Sequence, residues 1–503
     1  MTPAARVSAA SVEEAARRVT RTLDDLGVPR DGDDGCGVAL LGGNTSEFLA
    51  VFRGATWSGR YCTSMSWRWT PDDIAYVSEN CEARVLFADA RWPELAAAAA
   101  HRFTPDVRFA IGGDLPGFRP WADVDAAPAE PRRASTAGAP MLYTSGTTGR
   151  PKGVRRPLTG RPTPTDMAAG GAAMLTRFLA DPQLASEAPH LVTCPLYHSG
   201  PMAYCDGALQ LGADIVLMDR FDAEEFLRLV EEHRPASTFL VPAQFVRLLR
   251  LPSDVRDRYD LSSLRLVVHG SAPVSVAVKR AMIEWLGPIL FEFYGGTEGG
   301  GIGIDSRTWL TKPGSVGRPF RPELHVQILD EHGEPAAVGQ EGLVYFREDG
   351  RDGFTYKDDP EKTEAAWRDG AFTLGDIGYL DDDGFLFLCD RRSDVIISGG
   401  VNIYPAQVES VLLGHPAVGD CCVVGVPDDE WGEQVKAVVE LVDGATPNDA
   451  LVRTLQAWCR ERLAGYKCPR TIDFRATLPR REDGKLLKRL LRDEYWAGTG
   501  RRL

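Results

Sequence analysis

The sequence predicts an α/β chain in two units: a large N-terminal domain over 1–392, built of parallel-type αβ subdomains plus a β-rich subdomain at about 316–390, and a small α+β C-terminal domain over 393–503. Three observations carry this. The 503 residues exceed the length over which a single hydrophobic core keeps growing. Short apolar runs alternate with helical patterns through the first half, as parallel sheets covered by helices require. Past residue 316 the texture changes to short strands separated by glycine turns.

The apolar runs fall at 38–41, 84–87, 141–143, 191–195, 215–218, 238–241 and 264–268. An amphipathic helical segment precedes them near 11–26, and the alanine run 96–100 is a good helix former. In open α/β sheets ligands collect beyond the carboxyl ends of the strands. The segments 145–153, Leu196-Tyr-His-Ser-Gly200 and His269-Gly-Ser-Ala-Pro273 each follow such a run. The β-rich stretch reads as strands at 326–329, 343–346 and 385–388, with tight turns at Asp330-Glu-His-Gly-Glu334 and Asp381-Asp-Asp-Gly384. After Arg391, Pro405 suits the first turn of a helix with Val408, Val411 and Leu412 on one face and Gly414 just past its end. Strands follow at 421–426 and 435–441, then a helix at 451–463. No internal repeat is present.

Composition narrows the function classes. An apolar fraction of 44% with 25% charged residues is that of a globular enzyme. The net charge of −14, without a long basic run, argues against nucleic acid as a partner. No stretch approaches the length of a membrane span, and the first residues lack the apolar core of a signal peptide, so a cytoplasmic location is expected. The ten cysteines show no CxxC and no metal-ligand spacing and read as reduced core residues.

The most informative stretch is Leu142-Tyr-Thr-Ser-Gly-Thr-Thr-Gly-Arg-Pro-Lys-Gly153. Gly146, Gly149 and Gly153 let the backbone approach an anion, Thr144, Ser145, Thr147 and Thr148 offer hydroxyls, and Lys152 adds a point charge. The segment reads as a phosphate cradle. It is not a Walker A loop, because Lys152 lies between Pro151 and Gly153 rather than between Gly and Ser or Thr.

Further motifs follow in fixed order: Tyr294-Gly-Gly-Thr-Glu298, Leu374-Gly-Asp-Ile-Gly-Tyr379, the run from Asp390 to Pro405 containing Ile396-Ile-Ser-Gly-Gly400, and Gly484-Lys485. With them the chain resembles the AMP-forming adenylating superfamily of acyl-CoA synthetases, carrier-protein adenylation domains and luciferases, from about Val38 to Leu491. Trp67-Arg-Trp-Thr-Pro71 and Ile396-Ile-Ser-Gly-Gly400 are most similar to acyl-CoA synthetases of actinobacterial type.

The resemblance implies ATP and Mg²⁺, with CoA as co-substrate, and a carboxylic acid activated as its adenylate. It gives Thr297 the α-phosphate, Glu298 the Mg²⁺, Gly270, Ser271 and Ala272 the adenine side with Tyr294 and Gly295, Asp376 the ribose hydroxyls and Arg391 the ribose and phosphate. Lys485 is implied to be the mobile catalytic lysine of a small domain that rotates about Ser393, and Gly399 and Gly400 to line a tunnel for pantetheine. Ser393 stands where many relatives carry Asp or Lys, and Asp390 where many carry glycine. The acid pocket is expected from Tyr197, His198, Pro201, Met202, Phe239, Val241, Phe245, His269, Gly295, Gly300, Gly301 and Ile302, with His198 either a packed wall or a gate. Three alternatives stay open: transfer to a carrier protein, activation of nitrite to diazotise an aromatic amine, and a non-catalytic binding protein. A homodimer is compatible with the sequence.

Overall fold

The computed structural model describes residues 5–30, 37–129, 136–145, 150–158, 179, 182–349, 353–480 and 486–497. Two sheets dominate the large unit. The first is wholly parallel, in the order Arg108–Ile111, Ala83–Asp89, Gly37–Leu41, Tyr61–Met65, Ala139–Pro140. Its strands bury both faces, and the alternation shows which residue goes where. Val38 and Leu40 join Phe48, Val51, Val12 and Val19, from the helices Ser46–Thr56 and Ala9–Asp25, whereas Ala39 and Leu41 join Ile74, Val77, Ala96 and Ala99 from Pro71–Asn80 and Pro93–Ala100.

The second sheet begins with parallel strands in the order Ile215–Leu217, His190–Val192, Ser237–Leu240, Leu266–His269, Leu290–Gly295. Val192, Phe239, Val268 and Phe291 pack into the same core as Val38 and Phe48, so helices Ala9–Asp25, Ser46–Thr56 and Ser199–Leu211 lie between two sheets. Leu191, Leu240 and Val267 face the opposite core, against Phe226, Phe245 and Met282.

Three features go beyond the sequence-based reading. Ala5–Val7, which has no strand signal, adds an antiparallel edge to Ile215–Leu217. The β-rich stretch forms no sheet of its own: Gly300–Asp305 and Ser315–Pro319 continue the second sheet antiparallel into Leu386–Arg391, Ala371–Leu380, Gly342–Glu348 and Leu324–Leu329. The cradle segment is likewise not on a parallel strand. Leu142–Ser145 and Pro151–Arg155 form an antiparallel hairpin, and Thr355–Tyr356 pairs with its outer strand. The switch-point argument therefore does not account for its position; the hairpin is held by a strand from the β-rich stretch.

The C-terminal unit has a separate sheet of Ile396–Ser398, Val401–Ile403, Gly432–Leu441, Val418–Asp428 and Thr471–Arg475. Helices Pro405–Leu413 and Asp449–Arg460 cover it through Val408, Leu412 and Leu455. No described helix is long and apolar enough to cross a membrane. The described cysteines are all free and buried.

One buried ion pair locks the second sheet to its helix layer. Lys279, on the helix Val276–Leu286, is fully buried and meets Glu292 of Leu290–Gly295 at 2.5 Å, with the Trp309 ring 4.7 Å from its ammonium. Burial pushes both partners toward their neutral forms, and each offsets that for the other. Lys279→Met leaves Glu292 buried and unpaired and is expected to cost about 3–5 kcal/mol. Adding Glu292→Leu should return much of that loss, as read by denaturant unfolding of the two variants.

Candidate functional site

The strand Leu290–Gly295 ends at the junction where the sheet turns from parallel to antiparallel, and its last residues carry Tyr294 and Gly295. Beyond it Gly296 and Gly299 close a tight turn on each other, at 2.8 and 3.3 Å, and this turn presents Thr297 and Glu298. Across the sheet, Asp376 and Arg391 sit directly opposite one another on neighbouring antiparallel strands. The Tyr294 hydroxyl donates to Asp376 Oδ2 at 2.6 Å, and Arg391 Nε lies 3.4 Å from Oδ1. Asp376 is buried, so its charge depends on these partners. Burial, reinforced by the neighbouring carboxylate, holds the Tyr294 phenol well above its ordinary value, so it remains a donor.

Beside this clamp lies a cluster of opposite charges. The Tyr356 hydroxyl donates to Glu298 Oε1 at 2.9 Å, and the Arg156 guanidinium donates to the Glu298 carbonyl. Lys152, on Pro151–Arg155, pairs with Asp359 at 3.1 Å. Asp359 also caps the helix Pro360–Ala366, accepting from the Lys362 backbone N–H at 3.1 Å. That turn brings the Lys362 side chain against Lys152. Partial burial first, and then Lys152, push the Lys362 ammonium down to about 8.

Of the cradle, Thr144 stands opposite Lys152 and Ser145 opposite Pro151 in the hairpin. Gly146, Thr147, Thr148 and Gly149 lie outside the described residues, as does Lys485. On the adjacent strand end, Gly270 approaches so closely that a Cβ would stand 2.4 Å from the Phe293 carbonyl oxygen. Ser271 takes φ +69°, a left-handed conformation that costs a non-glycine residue about 1 kcal/mol. Ala272 completes this loop, which borders the same strand end as Tyr294.

The residues expected to line an acid pocket are not all brought together. Phe239 pairs with Val268 and Leu240 with His269, so Phe239 and His269 point to opposite faces of the sheet. On one face Phe239 packs with Tyr204 at 5.6 Å, Tyr204 with Phe293 at 6.4 Å and Phe293 with Phe320 at 6.1 Å. Gly200 abuts the Phe239 ring and Gly301 the Phe320 ring. The Tyr204 hydroxyl, buried among them, has no hydrogen-bond partner among the described residues. Val241, Met202 and Tyr197 belong to this core, with Tyr197 against His198 at 4.5 Å and Pro201 in the helix Ser199–Leu211. Gly300 and Ile302 open the strand that returns from the Glu298 turn. On the other face His269 is fully buried against Phe245 at 5.0 Å and is 4.0 Å from Glu292. Burial, and then Lys279, hold the His269 imidazole well below its ordinary value, so it is neutral.

Ser393 lies in the short turn after Arg391, where its carbonyl accepts from Arg492 at 3.2 Å. Gly399 and Gly400, with φ of +58° and +79°, make the two-residue turn between Ile396–Ser398 and Val401–Ile403. Only glycine fits the first position, because a Cβ there would strike the Trp431 ring at 2.5 Å.

Tyr356, Asp359, Lys362 and Arg156 were not singled out in the sequence. Asp359-Pro360 does signal a helix start, but no local pattern connects it to Lys152.

Comparison with known proteins bears on this arrangement. The family described as AMP-binding enzyme matches residues 2–351, and its C-terminal domain matches 407–485. A long-chain-fatty-acid–CoA ligase of Bacillus subtilis is 36% identical over 357 residues, spanning 70% of this chain and 61% of that protein. A feruloyl-CoA synthase of an Amycolatopsis species is 34% identical over 510 residues, spanning 97% of this chain and 94% of that one. Among solved structures, the amide bond synthetase McbA from Marinactinospora thermotolerans superposes with a TM-score of 0.81 at 29% identity, over 97% of this chain and 94% of the other. The chain belongs to the AMP-binding enzyme family, with acid–CoA ligases among its full-length relatives.

Proposed function

We propose that the protein is an ATP-dependent, AMP-forming acid–CoA ligase with a large domain to residue 392 and a small domain after it. The observation that carries the reading is the Asp376 carboxylate held between Tyr294 and Arg391, one strand end away from the charge cluster of Glu298, Lys152 and Lys362. A carboxylate fits paired ribose hydroxyls, and clustered cations fit a polyphosphate. Residues from four strands, a helix and a turn would thus meet the nucleoside and phosphate halves of one ligand.

In the first half-reaction a carboxylate oxygen of the acid attacks the α-phosphorus of ATP, and the bond to the bridging oxygen of pyrophosphate breaks. Asp376 and Arg391 hold the nucleoside, Thr297 faces the α-phosphate, and Lys152 with the cradle hydroxyls takes the leaving pyrophosphate. Lys485 neutralises the two anions as they approach. Glu298 fits a magnesium ion: Tyr356 orients its carboxylate from one side, and a single carboxylate suffices for an ion that takes its remaining ligands from phosphate and water. When bound, that ion supplies charge stabilisation at the phosphates. In the second half-reaction the CoA thiolate attacks the acyl carbon and AMP leaves. The Gly399–Gly400 turn supports a thiol acceptor, since exposed Ile397, Val401 and Trp431 around it form an apolar surface suited to a pantetheine arm. An amine acceptor is the second reading, favoured by the likeness to an amide bond synthetase.

Both fatty and aryl acids occur among the names of the relatives, and the aromatic wall of Tyr204, Phe239, Phe293 and Phe320 suits an apolar acid of either kind. A pyrophosphate-release screen over such acids, with mass spectrometry of products formed with CoA or with an amine, tests the reading. A CoA thioester is the expected product; an amide formed with CoA ignored selects the second reading, and the absence of pyrophosphate release with every acid overturns both. Asp376→Asn is expected to weaken ATP and AMP binding alike by about tenfold in a binding titration. Lys485→Ala should lose most pyrophosphate release yet still convert supplied acyl-adenylate to thioester. A Cβ at Gly400 meets no neighbour within 4 Å but is strained at its φ of +79°, and Gly400→Leu puts bulk on the apolar surface of the turn, so it is expected to spare adenylation and abolish thioester formation.

A further inference from the structure

Lys362 has no place in the motifs that place the other phosphate-facing groups, yet it stands among them. Its helix Pro360–Ala366 follows directly from Tyr356, whose hydroxyl reaches Glu298, and its ammonium lies 5.7 Å from the Tyr356 ring centroid. Lys152 approaches it from the cradle hairpin. The carboxylate between the two lysines, Asp359, is already paired with Lys152 at 3.1 Å, and among the described residues Lys362 forms no ion pair of its own. Asp359 and Glu298 attract it only from beyond contact distance.

Two ammonium groups held together in a half-buried setting repel one another, and a protein tolerates that cost where an anion relieves it. An exposed lysine of a short helix would swing into solvent; this one is partly buried and lies over the Tyr356 ring. Burial first, and then Lys152, depress its proton affinity.

We propose that Lys362 is a second phosphate-binding residue, acting beside Lys152 on the β- and γ-phosphates and holding the departing pyrophosphate. The proposal rests on the nucleotide reading of this site. Its chemistry is that of a compact, strongly hydrated point charge suited to a polyanion. It contributes nothing to the nucleoside, which lies at Asp376.

Calorimetric titration of the full-length chain with ATP, AMP and inorganic pyrophosphate, each with Mg²⁺, separates the two claims. Lys362→Met is expected to weaken ATP and pyrophosphate by about tenfold and leave AMP within about twofold, while Lys362→Arg, which keeps the charge, retains most of the ATP affinity. Unchanged ATP and pyrophosphate affinity in Lys362→Met, with both falling in Lys152→Met, overturns the role of Lys362 and leaves the nucleotide reading standing. AMP weakened as much as ATP would mark a structural effect and overturns it as well. A wild-type chain that takes up neither ATP nor AMP overturns the nucleotide reading itself, and this inference with it.

Discussion

The carboxylate of Asp376, held between the Tyr294 hydroxyl and the Arg391 guanidinium, ties two neighbouring antiparallel strands to a strand far from them in the sequence. Tyr294 ends the last parallel strand, and Asp376 and Arg391 face each other across the antiparallel extension of the same sheet. The contact therefore joins the parallel and antiparallel halves, and the turn carrying Thr297 and Glu298 leaves the sheet at the corner between them. A buried carboxylate is stable only with such partners, so the clamp is both a requirement of the fold and the feature a nucleoside would use.

Charge burial is managed differently on the two sides of this corner. Below the sheet, Lys279 and Glu292 satisfy each other in full burial, and His269 next to them stays neutral. They set the position of the strand and of the loop from Gly270 to Ala272 without meeting solvent. At the corner itself Lys152 pairs with Asp359, while Lys362 is attracted by Asp359 and Glu298 without an ion pair of its own among the described residues. Structural ion pairs close on themselves; those of a binding site leave a remainder for the ligand.

The two units meet through contacts that a rotation about Ser393 would have to exchange. Asp390, on the last strand of the large unit, accepts from the Ala406 backbone N–H at 2.8 Å at the start of helix Pro405–Leu413, and the Arg250 guanidinium of the large unit donates to the Gly419 carbonyl of the small one. Glu409 and Lys488 pair at 3.0 Å nearby, and Lys488 offsets the burial that raises Asp390 above the usual carboxylate range. Asp390 is thus an anchor between the units in the arrangement seen here.

The sequence by itself determined the alternation of strands and helices, the separate C-terminal unit, the family resemblance and the placing of Tyr294, Glu298, Asp376 and Arg391 in recognisable motifs. These are legible because period-two and helical patterning are local and because motif spacing survives in one dimension. Tertiary structure alone decided that the β-rich stretch extends the parallel sheet, that Ala5–Val7 closes its far edge, and that the cradle is a hairpin braced by Thr355–Tyr356. It also put His269 and Phe239 on opposite faces, because the interstrand register, which no single strand contains, sets which residues are neighbours. Lys362 became visible for the same reason: its meaning comes from Lys152 and Tyr356, and a lysine in a short helix carries no local signal of the charge it will face once the chain has folded.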